Sequence, residues 1–203
     1  MVWSSLILKS KIEVVYMAQK KLSILVEGAV MVAFAEALEY IPHTVGVSAI
    51  EVQFGLIPVV LYALRRGVQP GILAGFVWGI LDMLLRGFSG GSVLNVWQGL
   101  LEFPVAFALV GLAGIAARGL RSASSNRGAK LIVYGTVVGT VAKYACHFIA
   151  GIVYWGSYAP KGQSAWLYSL IINGGSAIVS TIVATLVLVA IKLAAPRLFR
   201  VQA

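Results

Sequence analysis

The chain predicts an all-α membrane protein, a bundle of six transmembrane helices, and three observations carry that reading. Hydrophobic residues make up 60% of its 203 residues and charged residues 11%, with a mean hydropathy of +0.92, too apolar for a soluble globular domain. Six apolar stretches cover roughly 22–41, 51–64, 69–86, 97–117, 130–153 and 166–195, against the ~20 residues that a helix needs to cross hydrocarbon. The period-2 alternation of a barrel strand is absent from them. Helices are then the remaining way to satisfy the backbone in lipid. Residues 22–195 read as one domain, preceded by an N-terminal segment over 1–21 and followed by a basic tail over 196–203.

Taken in order, residues 1–16 (MVWSSLILKSKIEVVY) hold a short apolar patch followed by charges, without the h-region and cleavage site of a signal peptide. Met17 opens a more ordinary membrane-protein start, so 1–16 read as an over-called beginning. The first apolar stretch carries Ala29, Ala33 and Ala37 on one face, and the third carries Gly71, Gly75 and Gly79 at the same spacing. Small residues four apart let helices approach closely in lipid, where association relies on packing. For the glycines, packing inside the bundle is the expectation; the alanine face could equally receive a partner subunit. The second stretch is short and the sixth long, which implies tilt or a helix running past the bilayer. In the fourth, Pro104 lies two residues after Glu102 and removes the hydrogen bond to the Leu100 carbonyl, bending the helix beside a carboxylate.

Net charge is +9, and its distribution speaks for a membrane rather than for nucleic acid. Lys9, Lys11, Lys20, Lys21, Arg65, Arg66, Arg118, Arg121, Arg127, Lys130, Lys192, Arg197 and Arg200 flank one side of a six-helix zigzag. Only Arg86 and Lys161 flank the other, with Lys143 inside a helix. By the positive-inside rule both termini are expected in the cytoplasm. Acidic residues lean the opposite way: Glu36, Glu39, Glu51, Asp82 and Glu102 fall in the outer half or outer loops, a potential that favours cations at that mouth. Taken singly, Glu39 and Glu51 read as solvated residues at a loop edge.

Polar residues inside apolar stretches are costly and default to function or pairing. Glu102 lies about one and a half turns into the fourth helix, His147 near the outer end of the fifth, and Trp155 in the following loop. Tyr168 and Asn173 lie in the outer part of the sixth. All five share one depth, as the lining of a pocket would. Each has a blander reading alone: His147 as an interfacial residue, Asn173 as an interhelical hydrogen bond, and Trp155, Trp166, Tyr154 and Tyr158 as an aromatic belt. Tyr168 and Asn173 are five apart, about 140° around an α-helix, so either they face different walls or the turn at Asn173-Gly174-Gly175 is irregular. Cys146 is the lone cysteine, too few ligands with one histidine for a metal site; no metal and no cofactor are expected.

Four stretches carry a family resemblance: LRRGVQPGILAGFVWGILD (64–82), QGLLEFPVAFALVG (98–111), KYACHFIAGIVYWGSYAPKG (143–162) and LYSLIINGGS (167–176). From about Ser23 to the C-terminus the chain resembles the substrate-binding S components of energy-coupling factor vitamin transporters, specifically the thiamine-specific ThiT type. The resemblance implies a bacterial plasma-membrane receptor for thiamine, with Glu102, His147, Trp155, Tyr168 and Asn173 as ligand residues. It implies a transmembrane coupling subunit that packs on Ala29, Ala33 and Ala37, and two ATPase subunits that power uptake. It also implies transport by reorientation of the whole loaded subunit. The chain has no GxxxxGK[ST] phosphate loop of its own, and no catalysis is expected of it. Three departures bear on the pocket wall. Ser92 stands where the family often has Tyr, Phe103 where Tyr is common, and no Trp occurs in the loop after the first helix. Trp97, one turn before Glu102, and Phe103 are the candidates for the missing aromatic surface. An S component for another vitamin or precursor, such as riboflavin or hydroxymethylpyrimidine, and an intramembrane enzyme using Glu102 and His147 as acid and base are the alternatives at this point.

Overall fold

A computed structural model describes residues 2–42 and 49–199, with the side chains of 2–12 and 14 left aside. Of the basic residues expected at one end, Lys9, Lys11 and Arg200 lie outside the described side chains. Every regular element among the described residues is helical. Six runs follow one another: α1 Val2–Leu38, α2 Leu56–Arg66, α3 Val68–Gly87, α4 Val96–Arg121, α5 Ser125–Val153 and α6 Ala165–Ala194. α3 to α6 are each long and apolar enough to cross a membrane. α1 has the length, at 37 residues, but is interrupted by Lys20, Lys21, Glu27 and Glu36; it is continuous through residues 2–21.

α2 departs from the expected crossing over 51–64. Its 11 residues cover only about 17 Å at 1.5 Å per residue, and Leu56 and Pro58 to Leu64 are buried among the other helices. The chain reaches α2 through a non-helical segment at 49–55, which the serines of α6 hold in place. Ser176 Oγ accepts from the Glu51 N–H (3.0 Å) and Ser180 Oγ accepts from the Gln53 N–H (2.9 Å) while donating to the Glu51 carbonyl (3.2 Å). Non-helical backbone at membrane depth survives only where protein or a cavity satisfies it, and these serines provide that. Gly67, at φ 102°, makes the one-residue break between α2 and α3, a conformation that favours glycine.

α4 is sandwiched between α3 and α5 at backbone contact distance. A Cβ on Gly71 would lie 3.0 Å from the Gly111 Cα, and one on Gly75 or Gly79 would collide with the carbonyls of Phe107 and Phe103. On the other side, Cβ atoms on Gly135 and Gly139 would lie 2.7 and 2.6 Å from the carbonyls of Ala113 and Val110. The glycine row of α3 therefore serves packing within the chain. Ala29, Ala33 and Ala37 of α1 are all exposed, a smooth outward face.

Basic residues gather at one end. Glu27 pairs with Arg65 (2.6 Å) and Arg66, and Arg65 also donates to the Leu198 carbonyl (2.8 Å). That bond docks the 3₁₀ turn Pro196–Phe199, whose Phe199 is buried with the Lys192 ammonium over its ring. Gly75→Val tests the central packing: forcing a branched side chain against the α4 backbone costs about 1–3 kcal/mol. Thermal unfolding of the purified variant in detergent should show a lowered midpoint, whereas Ala33→Val on the exposed face should leave it in place.

Candidate functional site

At the end away from the Glu27 cluster, the helices part around a chamber of about 690 Å³, within the ~300–1,000 Å³ range of small-ligand sites. All five residues expected at one depth line it: Glu102, His147, Trp155, Tyr168 and Asn173. Phe103 does so too. Trp97 does not; it is 74% exposed, and Gln98, fully buried beside it, holds the inward position one turn before Glu102.

Three π-helical stretches border this chamber: Met83–Gly87 in α3, Leu101–Val105 in α4 and Leu170–Gly174 in α6. Such i→i+5 turns are rare and occur mostly as single bulges at functional sites. The α4 stretch contains Pro104, whose missing N–H releases the regular ladder. The α6 stretch explains how Tyr168 and Asn173 share a wall, because a widened turn brings residues five apart nearly over one another. The irregularity expected at Asn173-Gly174-Gly175 is thus a π turn over Leu170–Gly174.

Glu102 is the hub. It is 9% exposed and is held by side chains from its own helix, α5 and the loop after α5. Trp155 Nε1 donates to Oε2 (2.8 Å), Gln98 Nε2 donates to the same oxygen, and His147 Nδ1 lies 3.3 Å from Oε1. Gln98 is fixed in turn by accepting from the Leu94 N–H (2.9 Å) and donating to the Ser92 carbonyl (3.0 Å). An ionised carboxylate with this many donors stays charged at a modest cost, where an unpartnered one would not. Asn173 Nδ2 donates to the His147 carbonyl (3.2 Å) and to Ser169 Oγ (3.1 Å), while Ser169 donates to the Phe148 carbonyl (2.8 Å). With its amide protons occupied, Asn173 has its amide oxygen left to offer a solute. Trp155 sits beside Tyr158, ring centroids 5.3 Å apart. Trp166 is exposed and packs edge-on against Phe148, in keeping with a belt position.

Sequence reasoning misplaced Glu39. Rather than a solvated loop-edge group, it is 4% exposed and clasps three parts of the fold. Its Oε1 accepts from the Gly55 N–H (2.8 Å) ahead of α2, and its Oε2 meets Arg86 Nη1 (2.9 Å), which also reaches Asp82 Oδ1 (3.2 Å). Glu51, the other acid read that way, is exposed as expected and also lines the chamber. Arg86 is therefore not the counter-ion of Glu102, and Lys143 reaches it only through His147. Tyr40, Tyr144 and Tyr158, none of them expected in the lining, add aromatic surface. Counted by charge, the lining holds four carboxylates (Glu39, Glu51, Asp82, Glu102) against two cations (Arg86, Lys143), an imbalance that favours a cationic occupant.

A helical bundle packed at one end and opened at the other into an acidic, aromatic, solute-sized chamber defines a multi-pass cell-membrane protein that binds a small molecule. Residues 25–200 match the family described as Thiamine transporter protein (Thia_YuaJ), and the chain belongs to that family. It is 52% identical over 184 residues to the thiamine transporter ThiT of Lacticaseibacillus paracasei, covering 89% of this chain and 92% of the relative. To ThiT of Bacillus subtilis it is 33% identical over 192 residues, covering 89% and 96%. The solved structure of ThiT from Listeria monocytogenes superposes with a TM-score of 0.84 at 30% identity, covering 90% of this chain and all of that one. Both curated relatives are transporters by name, proteins that carry a solute rather than convert it.

The Glu39 clasp yields a measurable expectation. Glu39→Ala leaves the Gly55 N–H without its acceptor and the Arg86 guanidinium with Asp82 alone, a loss of about 1–3 kcal/mol for an unsatisfied buried donor. Thermal unfolding should register it strongly and barely change for Glu13→Ala, whose side chain is exposed.

Proposed function

We propose that this chain is the thiamine-binding S component of an energy-coupling factor importer, taking thiamine from outside the cell for ATP-driven uptake by partner subunits. The observation that carries this reading is the Glu102 carboxylate, held by Gln98, Trp155 and His147 on the wall of a chamber with more acids than cations. Thiamine joins a permanently cationic thiazolium to a flat aminopyrimidine. Glu102 can pair with the cation or accept from the amino group. The faces of Trp155 and His147 can stack on its rings, where cation–π attraction adds about 2 kcal/mol once water is excluded. The Tyr168 hydroxyl and the Asn173 amide oxygen are suited to the donors at the pyrimidine edge or the hydroxyethyl arm.

Orientation follows from charge. The basic residues at the Glu27 end support assigning that end to the cytoplasm; on this reading the chamber opens outward and both termini lie inside. The chain then crosses six times, with the pinned 49–55 segment completing the crossing that α2 is too short to make. Residues 22–195 form the substrate-binding domain, with residues 1–21 and the tail after 195 on the cytoplasmic side. Energy comes from two ATPase subunits through a transmembrane coupling subunit, for which the exposed Ala29, Ala33 and Ala37 face of α1 is the docking surface. Small side chains there permit the close backbone approach that association in lipid requires.

Calorimetry of the purified protein decides. Thiamine should bind tightly and riboflavin not at all, with hydroxymethylpyrimidine, which lacks the cation, weaker than thiamine. Glu102→Gln should weaken thiamine by about a hundredfold or more, the scale of a lost charge-assisted pair, while Glu13→Gln leaves it unchanged. Unimpaired thiamine binding by Glu102→Gln, or preference for riboflavin, would overturn the assignment.

A further inference from the structure

Lys143 is the largest charged side chain wholly enclosed in the bundle, at 1% exposure, and nothing in the binding scheme above uses it. It projects from α5 one turn before His147. Its ammonium lies 2.8 Å from His147 Nε2, its one nitrogen or oxygen partner among the described residues. Two ring faces flank it, Phe107 with its centroid 4.4 Å away and Tyr144 at 4.6 Å, and the acids Glu39, Glu51, Asp82 and Glu102 share the chamber wall with it. An ammonium has three donors and no acceptor, so the histidine nitrogen facing it must accept. A neutral imidazole that accepts at Nε2 carries its proton on Nδ1, and Nδ1 is the atom 3.3 Å from Glu102 Oε1. Both ring nitrogens are then occupied by protein.

We propose that Lys143 is a positioning residue for ligand recognition: it fixes His147 as the Nδ1-protonated tautomer, so that His147 donates to Glu102 and can meet the ligand only through its ring face. The inference deepens the thiamine-binding reading and rests on it. A flat cationic ring gains from a neutral imidazole face and would be repelled by an imidazolium. An imidazole free to carry its proton on Nε2 would instead turn the Nδ1 lone pair toward the Glu102 carboxylate, removing one of the donors that hold it. Lys143 thereby excludes the two histidine states that harm cation recognition.

The test separates the inference from the function it serves. The chain has two histidines, so a His43→Gln background leaves His147 as the only one. ¹⁵N-histidine labelling of that protein in detergent at neutral pH, without ligand, reads the tautomer from the two-bond nitrogen–proton correlation pattern. The expected result is a single Nδ1-protonated ring. In Lys143→Met the Nε2-protonated form should appear, and thiamine affinity by calorimetry should fall about ten- to a hundredfold, the scale of a lost hydrogen bond to a charged group. An Nε2-protonated or doubly protonated ring in the parent protein overturns the proposal, and that measurement stands even if Lys143→Met fails to fold. So does a folded Lys143→Met with an unaltered tautomer, or with an altered tautomer and undiminished affinity. A parent protein showing the Nδ1 tautomer but no heat with thiamine would instead sink the assigned ligand and leave the tautomer assignment intact.

Discussion

The structure depends on keeping one carboxylate inside a membrane bundle. A charge moved from water into the hydrocarbon interior is costly unless its lone pairs are met by donors, and the donors of Glu102 come from places that only a closed bundle brings together. Gln98 belongs to the same helix, Trp155 to the loop after α5 and His147 to α5. His147 leans on Lys143, and its carbonyl accepts from Asn173 of α6. The polar set is thus a tie between α4, α5 and α6, and a solute bound there meets groups already oriented. That saves the ordering cost that a flexible site would meet on binding.

Widened turns are concentrated where the chamber is, while a 3₁₀ stretch, Val110–Ala116 of α4, lies in the packed half. The three π stretches and the pinned segment before α2 all border the chamber, whereas the glycine contacts of α3 and α5 with α4 extend from beside it into the tightly packed half. The division has a physical basis. In the packed half the tightened turns of Val110–Ala116 keep small residues against the glycines of α3 and α5, while a cavity wall needs side chains aimed inward at spacings that a regular helix does not supply. Widening a turn changes the aim of every residue beyond it, as Tyr168 and Asn173 show, and the cost in backbone regularity is met beside polar groups able to satisfy it.

Much of this was legible in the residues. Polar side chains within apolar stretches announce themselves, and a shared depth was enough to pick out Glu102, His147, Trp155, Tyr168 and Asn173, all of which line the chamber. What stayed hidden depends on partners distant in sequence. Glu39 looks like a solvated edge because nothing local shows that Arg86, 47 residues on, returns to meet it. The stretch over 51–64 is mostly apolar, so its non-helical start cannot be read without Ser176 and Ser180, 125 to 129 residues later. Gln98 and Lys143 each stand four residues before a recognised site residue, a spacing that places them on the same helical face and that was available as a signal. Trp97 illustrates the reverse error: a large aromatic near the site drew the assignment, although the inward position one turn before Glu102 belongs to Gln98.

The two halves of the bundle also limit what this chain can do alone. Beyond the chamber, Val59, Val60, Leu64, Val110, Ala113 and Leu120 are buried to 1% exposure or less. Glycine contacts there bring α3, α4 and α5 to backbone distance, and Glu27 with Arg65 and Arg66 closes the far end. Protein interiors at this density have no room for a solute without separating the helices, and separating them would break contacts that glycine alone permits. The chamber is therefore a pocket with a floor and not a segment of a channel. A solute that enters at the Glu102 end meets that floor, and in this arrangement of the helices its way out is the opening by which it came.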